Sequence, residues 1–196
     1  MELLAPAGSR QALTAAVQSG ADAVYLGGPQ FGARYSAENF TIEEMKTWVD
    51  YCHLYGVDVH VTVNTLVKEK EIESLKEYLK QLNEIGVDAL IVQDMGAVEI
   101  IKKTVPDMTL HASTQMTVTS LEGVKYLEDM GFSRVVLARE LSEKEIEHIC
   151  KNAKAEIEVF VHGAICMCYS GQCLMSSILG GRSGNRGRCA QPCRLP

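Results

Sequence analysis

The sequence contains no apolar run that approaches the roughly 18 residues of a membrane span. Its first residues carry an acid, Glu2, and run directly into Pro6 and Gly8. They therefore lack the basic start and long apolar core of a secretory signal. These absences lead us to expect a cytoplasmic protein with no membrane partner.

Several common enzyme signatures are also missing. There is no Gly-x-Gly-x-x-Gly or phosphate-loop motif, no His-Glu-x-x-His pattern of a zinc protease and no Gly-x-Ser-x-Gly pattern of a serine hydrolase. A cysteine protease would need one thiolate paired with a histidine, and His162 with Cys166 offers such a pair. Five cysteines are clustered there, whereas a cysteine protease needs only one catalytic thiolate.

Acidic residues are absent after Glu158, whereas four arginines follow it. This stretch is therefore locally +4, and the formal charge of −6 for the whole chain leaves −10 on the residues before it. An acidic body with one basic segment argues against general coating of nucleic acid and is compatible with a phosphate contact at one place. Arg182, Arg186 and Arg188 are the candidate RNA- or anion-binding residues, unless they only solubilise a loop. Their Gly-, Ser- and Asn-rich surroundings predict a mobile segment unless a cluster or ligand holds it.

The 196 residues, with 46% hydrophobic and 22% charged content, predict one globular domain with a sizeable core. Short apolar segments alternate with amphipathic helical patterns from residue 2 to residue 163. Strands are predicted at 2–5, 23–27, 57–64, 89–93, 109–112, 134–138 and 156–162. Helices are predicted at 9–19, 41–55, 69–85, 95–104, 118–130 and 142–152. Two of these starts, at Thr41 and Ser142, carry a glutamate three residues later and so predict capping boxes.

A glycine recurs where a helix gives way to the next strand, at positions 20, 56, 86 and 131. Each predicts a left-handed helix cap, and the recurrence indicates an internal structural repeat. Strict strand-helix alternation implies a parallel sheet, so the predicted fold is α/β, a TIM-barrel-like (β/α)8 barrel with seven strand-helix units present. An open doubly wound sheet is the competitor, but no nucleotide-binding motif supports it. We divide the chain into an incomplete barrel at 1–163 and a cysteine-rich segment at 164–196, which we call the cysteine segment.

Unusual polar residues follow the predicted strands at their carboxyl ends, where barrels carry out their chemistry. The seventh strand leads directly to Cys166, so the thiols would lie over the face formed by these carboxyl ends. Each residue also has a structural interpretation, such as a core histidine or an ion pair between Arg139 and Glu140. The candidate catalytic residues are His111, Gln115, Arg139, Glu140 and His162.

Five of the seven cysteines fall between positions 166 and 193, which is typical of a soft metal centre. Two ligand sets fit the spacing. Cys168-x4-Cys173 with Cys189-x3-Cys193 has the paired spacing of a zinc site, whereas Cys166, Cys173 and Cys189 with one more thiolate form the irregular set that an iron-sulfur cluster accepts. Spacing alone favours zinc, and nothing in the chain indicates the export that would favour disulfides.

The motif Glu158-x-Phe160-x2-Gly163-Ala164-Ile165-Cys166-x4-Gly171-x-Cys173-x-Met175-Ser176 resembles the signature of peptidase family U-32, the collagenase-like peptidases. The run from Gly181 to Arg194 resembles the RNA-hydroxylation branch of that family. The similarity extends to Leu4-Ala5-Pro6-Ala7-Gly8 and to the stretch from Gly20 to Gly28.

This resemblance implies a barrel, a 4Fe-4S cluster in place of zinc, and oxygen-independent hydroxylation of a pyrimidine in tRNA or ribosomal RNA. It places Cys166, Cys173 and Cys189 on the cluster, with Cys193 or a residue beyond Pro196 as the fourth ligand. It also implies a small organic oxygen donor such as prephenate. Family members are about twice as long, so we expect an amino-terminal fragment. A collagenase-like protease and a zinc-stabilised RNA-binding module without catalysis remain the alternatives.

Overall fold

The computed structural model describes residues 1–33, 37–163 and 166–194. Seven strands form one parallel sheet in the order in which they occur along the chain. The strands are β1 Leu4–Pro6, β2 Ala23–Gly27, β3 Asp58–Val63, β4 Ala89–Val92, β5 Thr109–Ala112, β6 Arg134–Val136 and β7 Glu156–Glu158. All seven predicted strands and their parallel pairing are confirmed.

A helix follows each of the first six strands, as predicted. The helices are α1 Arg10–Gln18, α2 Ile42–Leu54, α3 Ile72–Ile85, α4 Met95–Thr104, α5 Leu121–Asp129 and α6 Glu143–Asn152. The capping boxes at Thr41 and Ser142 are both present. The Thr41 hydroxyl accepts from the N–H of Glu44, and the Glu145 carboxylate accepts from both the N–H and the hydroxyl of Ser142. The four junction glycines all have positive φ, between 68° and 86°, which explains why glycine recurs there.

Three predicted boundaries were wrong by three or more residues. Strand β7 ends at Glu158 and not at residue 162, because the Glu158 carbonyl accepts the last bond to β6, from the N–H of Leu137, and the next three side chains are exposed. Helix α3 starts later than predicted, after a 3₁₀ turn at Glu69–Glu71. Helix α5 starts at residue 121, because the Ser120 hydroxyl caps it by accepting from Gly123.

The two faces of the sheet differ in chemistry because side chains alternate along each strand. Val59, Val61 and Val63 of β3 belong to the apolar core, which also contains Met45 of α2 and Leu79 of α3. The alternate residues of the sheet, which include His60 and His111, lie on the opposite, concave face. The hydrophobic core therefore lies between the sheet and its helices, and the inside of the half-barrel combines buried polar side chains with apolar ones such as Ile91.

The sheet curls so that its two edges approach each other. Glu2, which precedes β1, accepts two hydrogen bonds of 2.6 Å from the guanidinium of Arg134 at the start of β6. The same guanidinium donates to Glu156 of β7 at 2.6 and 2.9 Å. This ionic cluster ties the first and last strands together at the amino-terminal end of the half-barrel. Within the described ranges, no helix is both long and apolar enough to cross a bilayer.

The cysteine segment is built differently from the rest of the chain. Its described part contains one short helix, α7 Met175–Gly180, and two 3₁₀ turns, Gly184–Arg186 and Pro192–Arg194. Helix α7 packs against the second of these turns. Ala190 donates its backbone N–H to the hydroxyl of Ser176 at 2.9 Å, which fastens the end of the segment to the start of α7.

Candidate functional site

Ser170 docks the cysteine segment on the face formed by the carboxyl ends of the strands, which we call the strand-end face. Its hydroxyl accepts from Arg139 Nε at 3.0 Å, and its backbone N–H donates to Glu140 Oε1 at 3.2 Å. Its carbonyl accepts from the Thr117 hydroxyl at 2.5 Å, and that hydroxyl in turn accepts from Gln172. Ser170 is only 2% exposed, so its own atoms in these bonds are shielded from water, whereas Glu140 and Gln172 are exposed. We call this arrangement the serine clamp.

Gly171 continues the contact between the cysteine segment and the strand-end face. Its φ is +77°, and a Cβ built on it would lie 2.1 Å from the backbone carbonyl oxygen of Gln115. Only a residue without a side chain permits this approach. Because Gln115 donates its own N–H to the Ser113 hydroxyl, the segment rests on a loop that is fixed to the end of β5.

A second attachment holds the other half of the segment, and we call it the arginine clamp. Arg186 donates to both carboxylate oxygens of Glu71, at 2.7 and 2.5 Å, and also bonds the carbonyl of Leu66. The backbone N–H of Leu66 donates back to the carbonyl of Asn185 at 3.0 Å. Hydrogen bonds from Arg186 lower the pKa of Glu71 to about 2. This bidentate pair fixes the geometry as well as the charge.

The arginine clamp changes two of the sequence-based predictions. Arg186 already neutralises Glu71, so its predicted contact with RNA or another anion is not supported in this conformation. The Gly- and Arg-rich run is held to the barrel by Glu71, whereas the prediction required a cluster or a ligand to hold it. Arg182 and Arg188 are exposed, and for them the anion-binding prediction stays open.

The predicted metal ligands all lie in the clamped segment as free thiols. Cys166, Cys189 and Cys193 are exposed and Cys173 is half-buried. The sulfur of Cys189 accepts the backbone N–H of Gln191 at 3.4 Å. Free thiols with amide donors suit a soft metal centre. In residues 1–33, 37–163 and 166–194, however, no three His, Cys, Asp or Glu side chains converge as a metal-ion ligand set.

Two of these thiols lie on neighbouring parts of the segment. A Cβ placed on Gly184 would lie 3.7 Å from the Cβ of Cys189 and 4.0 Å from the carbonyl oxygen of Cys173. The donor chemistry therefore fits the metal centre implied by the sequence, and the backbone brings part of the donor set together. The ligand assignment to Cys166, Cys173, Cys189 and Cys193 stays a prediction.

His111 lies deeper than the strand-end face on which it was predicted. Its ring stacks edge-on against His60 of β3, with ring centres 4.6 Å apart, on the concave side of the sheet. Burial, reinforced by His60 and Arg134, lowers the pKa of His111 to about 3. Burial also lowers the pKa of His60. The pair is therefore neutral at ordinary pH, which fits a core histidine at least as well as a catalytic one.

Glu158 interacts with Arg134, which also acts on this histidine pair, and Glu158 was missed as a site residue. One of its carboxylate oxygens lies 3.7 Å from Arg134, and burial raises its pKa to about 7 despite the attraction of that guanidinium. Burial alone would lower the pKa of Arg134, but the hydrogen bonds that it donates to Glu2 and Glu156 raise it. The signal in the sequence was the alternation of charged and apolar residues in β7, Glu-Ile-Glu, which puts both carboxylates on the concave face.

Other polar residues at the strand-end face have structural partners. Asn64 accepts the N–H of Ala33 at 2.9 Å, which fixes the loop after β2. Asp94 caps α4 through Ala97 and accepts a further N–H from Val67 at 3.0 Å. In the described part of the chain, the side-chain carbonyls of Gln93 and Gln115 are buried without a hydrogen-bond partner.

The remaining predicted catalytic residues fall into two groups. Arg139 and Glu140 do not form an ion pair with each other, because both bind Ser170 in the serine clamp. His162 is exposed, and in the described ranges it makes no hydrogen bond to a thiol. Within the predicted set, the structure therefore brings Gln115, Arg139 and Glu140 together around the docked segment, and it places His111 on the concave face of the sheet.

These observations define a class of protein: a parallel half-barrel with a thiol-rich segment clamped across its strand-end face. The family model for Peptidase family U32 matches residues 8–196, so the chain belongs to that family. This finding confirms the resemblance inferred from the motif around Cys166.

Three curated relatives carry names that describe either RNA hydroxylation or collagenase activity. The chain is 46% identical over 196 residues to the 23S rRNA 5-hydroxycytidine C2501 synthase of Escherichia coli, covering all of this chain and 29% of the relative. It is 42% identical over 193 residues to the tRNA hydroxylation protein P1 of Bacillus subtilis, covering 98% and 46%. It is 34% identical over 206 residues to the Collagenase of Porphyromonas gingivalis, covering 98% and 49%. The chain thus spans less than half the length of each of these relatives.

Solved structures support the fold. The U32 peptidase Mk0906 superposes with a TM-score of 0.67 at 20% identity, covering 81% of this chain and 68% of that chain. The thiamine phosphate pyrophosphorylase of Pyrococcus furiosus superposes with a TM-score of 0.56 at 16% identity, covering 83% and 74%. At these identities the similarity establishes the TIM-like architecture and nothing about chemistry.

Proposed function

We propose that this chain is part of a protein that hydroxylates a pyrimidine in tRNA or ribosomal RNA. The observation that carries the proposal is the pair of relatives, 46% and 42% identical over nearly the whole chain, whose names describe hydroxylation of 23S rRNA and of tRNA. The docking of the thiol-bearing segment on the strand-end face supports it, because that face is where barrels hold their substrates.

We propose further that Cys166, Cys173, Cys189 and Cys193 hold a 4Fe-4S cluster. Five cysteines in one clamped segment and an amide donor on the Cys189 sulfur support this assignment, with zinc as the alternative. Such a cluster would supply electron-transfer chemistry. The oxygen atom would come from a small organic donor such as prephenate and not from dioxygen.

The protein's own residues have positioning roles in this proposal. Arg139, Glu140 and Thr117 hold Ser170, and Ser170 holds the backbone between Cys168 and Cys173 over the barrel. Gln115 lies directly beneath that backbone. A base presented at the strand-end face would therefore meet Gln115 and the thiol-bearing loop at the same place.

Proteolysis is the second candidate, favoured by the name of the Porphyromonas gingivalis relative. The observation against a thiol protease is that, in the described residues, no thiol is hydrogen-bonded to His162, which would have to activate it.

The test is nucleoside mass spectrometry of tRNA and ribosomal RNA from a strain that lacks the gene. We expect one pyrimidine to lose the mass of a single oxygen atom, and we expect the wild-type gene but not its Cys173→Ser variant to restore it. Unchanged nucleosides, together with peptide cleavage by the purified metal-free protein, would replace hydroxylation with proteolysis.

A further inference from the structure

The loop after β2 lies against the second half of the cysteine segment. Gly187 has a φ of +74°, and a Cβ built on it would lie 2.5 Å from the carbonyl oxygen of Gly32 and 3.3 Å from the carbonyl carbon of Ala33. Only a residue without a side chain permits this approach. Because Cys189 follows Gly187 by two residues, the position of this loop limits where that thiol can lie.

Asn64, which follows β3, holds the same loop from the barrel side. Its Oδ1 accepts the N–H of Ala33 at 2.9 Å, and its Nδ2 lies 3.5 Å from the hydroxyl oxygen of Ser113, which follows β5. Strand β4 lies between β3 and β5 in the sheet, so the Asn64 side chain reaches across the end of a neighbouring strand. Asn64 is 9% exposed and Ser113 is 1% exposed, so both contacts are screened from competing water.

Ser113 connects Asn64 to the first half of the cysteine segment. Its hydroxyl accepts the N–H of Gln115 at 3.2 Å, and the carbonyl oxygen of Gln115 is the atom against which Gly171 lies. Cys173 follows Gly171 by two residues. A continuous series of contacts therefore crosses the strand-end face from one half of the segment to the other. We call this series the polar relay, and its members are Ala33, Asn64, Ser113 and Gln115.

The two halves that the polar relay joins also meet each other. The position of a Cβ on Gly184, 3.7 Å from the Cβ of Cys189 and 4.0 Å from the carbonyl oxygen of Cys173, shows how near the two halves come. A soft metal centre requires its sulfur ligands at defined separations, and buried residues behind the ligands usually set them. A buried series of contacts that ends two residues from each of these thiols has the position required for that role.

We propose that Asn64 is a positioning residue of the metal centre, because it holds Cys173 and Cys189 at a fixed separation. One arm of the polar relay runs from Asn64 to Gly187, and the other runs from Asn64 to Gly171. This inference rests on the proposed function, to which it adds a residue that lies far before the first predicted ligand in the sequence. Loss of a supporting residue of this kind typically weakens metal binding about 10-fold to 100-fold.

The test compares wild type with Asn64→Leu, both purified without oxygen, by hydrogen exchange and mass spectrometry. Leucine keeps the branched shape of asparagine but can neither accept from Ala33 nor donate to Ser113. We expect exchange to become faster in the first half, residues 170–173, and in the second half, residues 187–190. The increase should be on the order of tenfold for lost buried hydrogen bonds, while α3 keeps its wild-type protection. The rate at which a chelator removes the metal should rise about 10-fold to 100-fold.

Two further variants interrupt the polar relay on one side only. Ser113→Ala removes the arm to the first half and leaves the bond between Asn64 and Ala33, so only the first half should exchange faster. Gly187→Ala forces the second half away from Gly32, so only the second half should exchange faster. Both variants should also speed the loss of metal.

Gln93→Leu is the matched control. Gln93 follows β4, and it is 9% exposed, as Asn64 is. Within the described ranges, its buried side-chain carbonyl makes no hydrogen bond, so this substitution breaks no link of the polar relay. We expect wild-type exchange and wild-type metal loss.

The proposal is overturned if Asn64→Leu exchanges like wild type, loosens only one half, or loosens both without faster metal loss. An equal effect of Gln93→Leu would also overturn it. If Asn64→Leu does not fold, Ser113→Ala decides: loosening of the first half alone with faster metal loss supports the polar relay, and any other pattern refutes it.

The proposed function is judged by different measurements. Exchange and metal loss are measured without RNA, so unchanged nucleosides in the deletion strain would overturn the hydroxylation and leave the role of Asn64 standing. A wild-type protein that retains neither iron nor zinc would overturn the metal centre and this role together. Metal retained equally by wild type and Asn64→Leu would overturn the role of Asn64 alone.

Discussion

Gly171 crosses the strand-end face so closely that a Cβ atom there would lie 2.1 Å from the backbone carbonyl oxygen of Gln115. The contact is backbone against backbone, so neither partner can move a flexible side chain aside. It fixes the distance between the cysteine segment and the strand-end face. Because Cys173 follows two residues later, it also constrains where that thiol can lie.

We therefore expect Gly171→Ala to undock the segment. The added methyl group collides with Gln115, and the positive φ of +77° costs an alanine about 1 to 2 kcal/mol more. Hydrogen exchange at residues 168–173 should become faster, and anaerobically purified protein should hold less iron. Gly180→Ala is the control, since nothing lies within 4 Å of a Cβ at that position. Equal behaviour of the two variants would mean that the close approach is unimportant.

Substitutions of Glu140 can distinguish a positioning role of this residue from a catalytic role. Its carboxylate accepts the Ser170 N–H, and the carboxamide of Glu140→Gln can accept the same bond. We expect Glu140→Gln to keep RNA hydroxylation near the wild-type level in the complementation assay and Glu140→Ala to lower it. A general acid or base would be lost in both variants. Loss of hydroxylation in Glu140→Gln, with the protein folded and the metal retained, would restore the catalytic assignment.

The arginine clamp should show energetic coupling. Arg186→Gln and Glu71→Gln each remove the bidentate pair, so the double variant should be destabilised by less than the sum of the two single changes. For a partly exposed pair we expect a coupling of about 1 kcal/mol in urea unfolding. Lys76→Gln with Glu73→Gln on α3 is the comparison pair, which is more exposed and should couple more weakly. Strict additivity at Arg186 and Glu71 would show that the clamp contributes nothing to stability.

The sequence predicted the strands, the helices and their order because each of those features is local. Hydrophobic periodicity, capping residues and the junction glycines depend on neighbours within one turn or one strand. The clamps could not be predicted in this way: Ser170 and Arg139 are 31 residues apart, and Arg186 and Glu71 are 115 apart. Nothing near either residue reveals its partner. For the same reason we expected Arg186 to bind an anion, whereas its guanidinium is paired with Glu71, which is distant in the sequence.

The concave face was missed for a related reason. A search for polar residues just after the strands selects the strand-end face and passes over residues within strands. His60 and Arg134 lie within β3 and β6, where alternation with valine marks them as facing the inside of the half-barrel. Reading each strand by alternate positions would have grouped them with Glu158, although it could not have shown that Glu2 joins them from the far edge of the sheet.

Glu158 should make stability depend on pH. Its folded-state pKa, raised by burial to about 7, exceeds the usual value of 4.5, so the folded protein holds this proton more tightly than the unfolded chain does. The contribution of Glu158 to stability therefore falls as the pH rises from about 4.5 to about 7, by an amount on the order of 3 kcal/mol. Glu158→Gln removes the titration, so its advantage over wild type should grow across this window and level off above it.

The measurement is the free energy of urea unfolding of both proteins at several pH values between 4 and 8. Comparing the two proteins cancels other groups, including His111, whose lowered pKa makes stability rise with pH over an overlapping range. Parallel pH profiles for wild type and Glu158→Gln would show that Glu158 is ionised in the folded protein throughout, held by Arg134.

The choice between cluster and zinc can be made with one pair of cysteines. The iron-sulfur assignment uses Cys166 and leaves Cys168 free, whereas the zinc spacing uses Cys168 with Cys173. Both thiols are exposed and only two positions apart, so serine at either should disturb the fold equally little. For protein purified without oxygen, we expect Cys166→Ser to lose iron, sulfide and the brown colour that bleaches in air. Cys168→Ser should keep all three. Stoichiometric zinc in the wild type, lost in Cys168→Ser and kept in Cys166→Ser, would establish the zinc pairing and remove the electron-transfer centre from the proposed function.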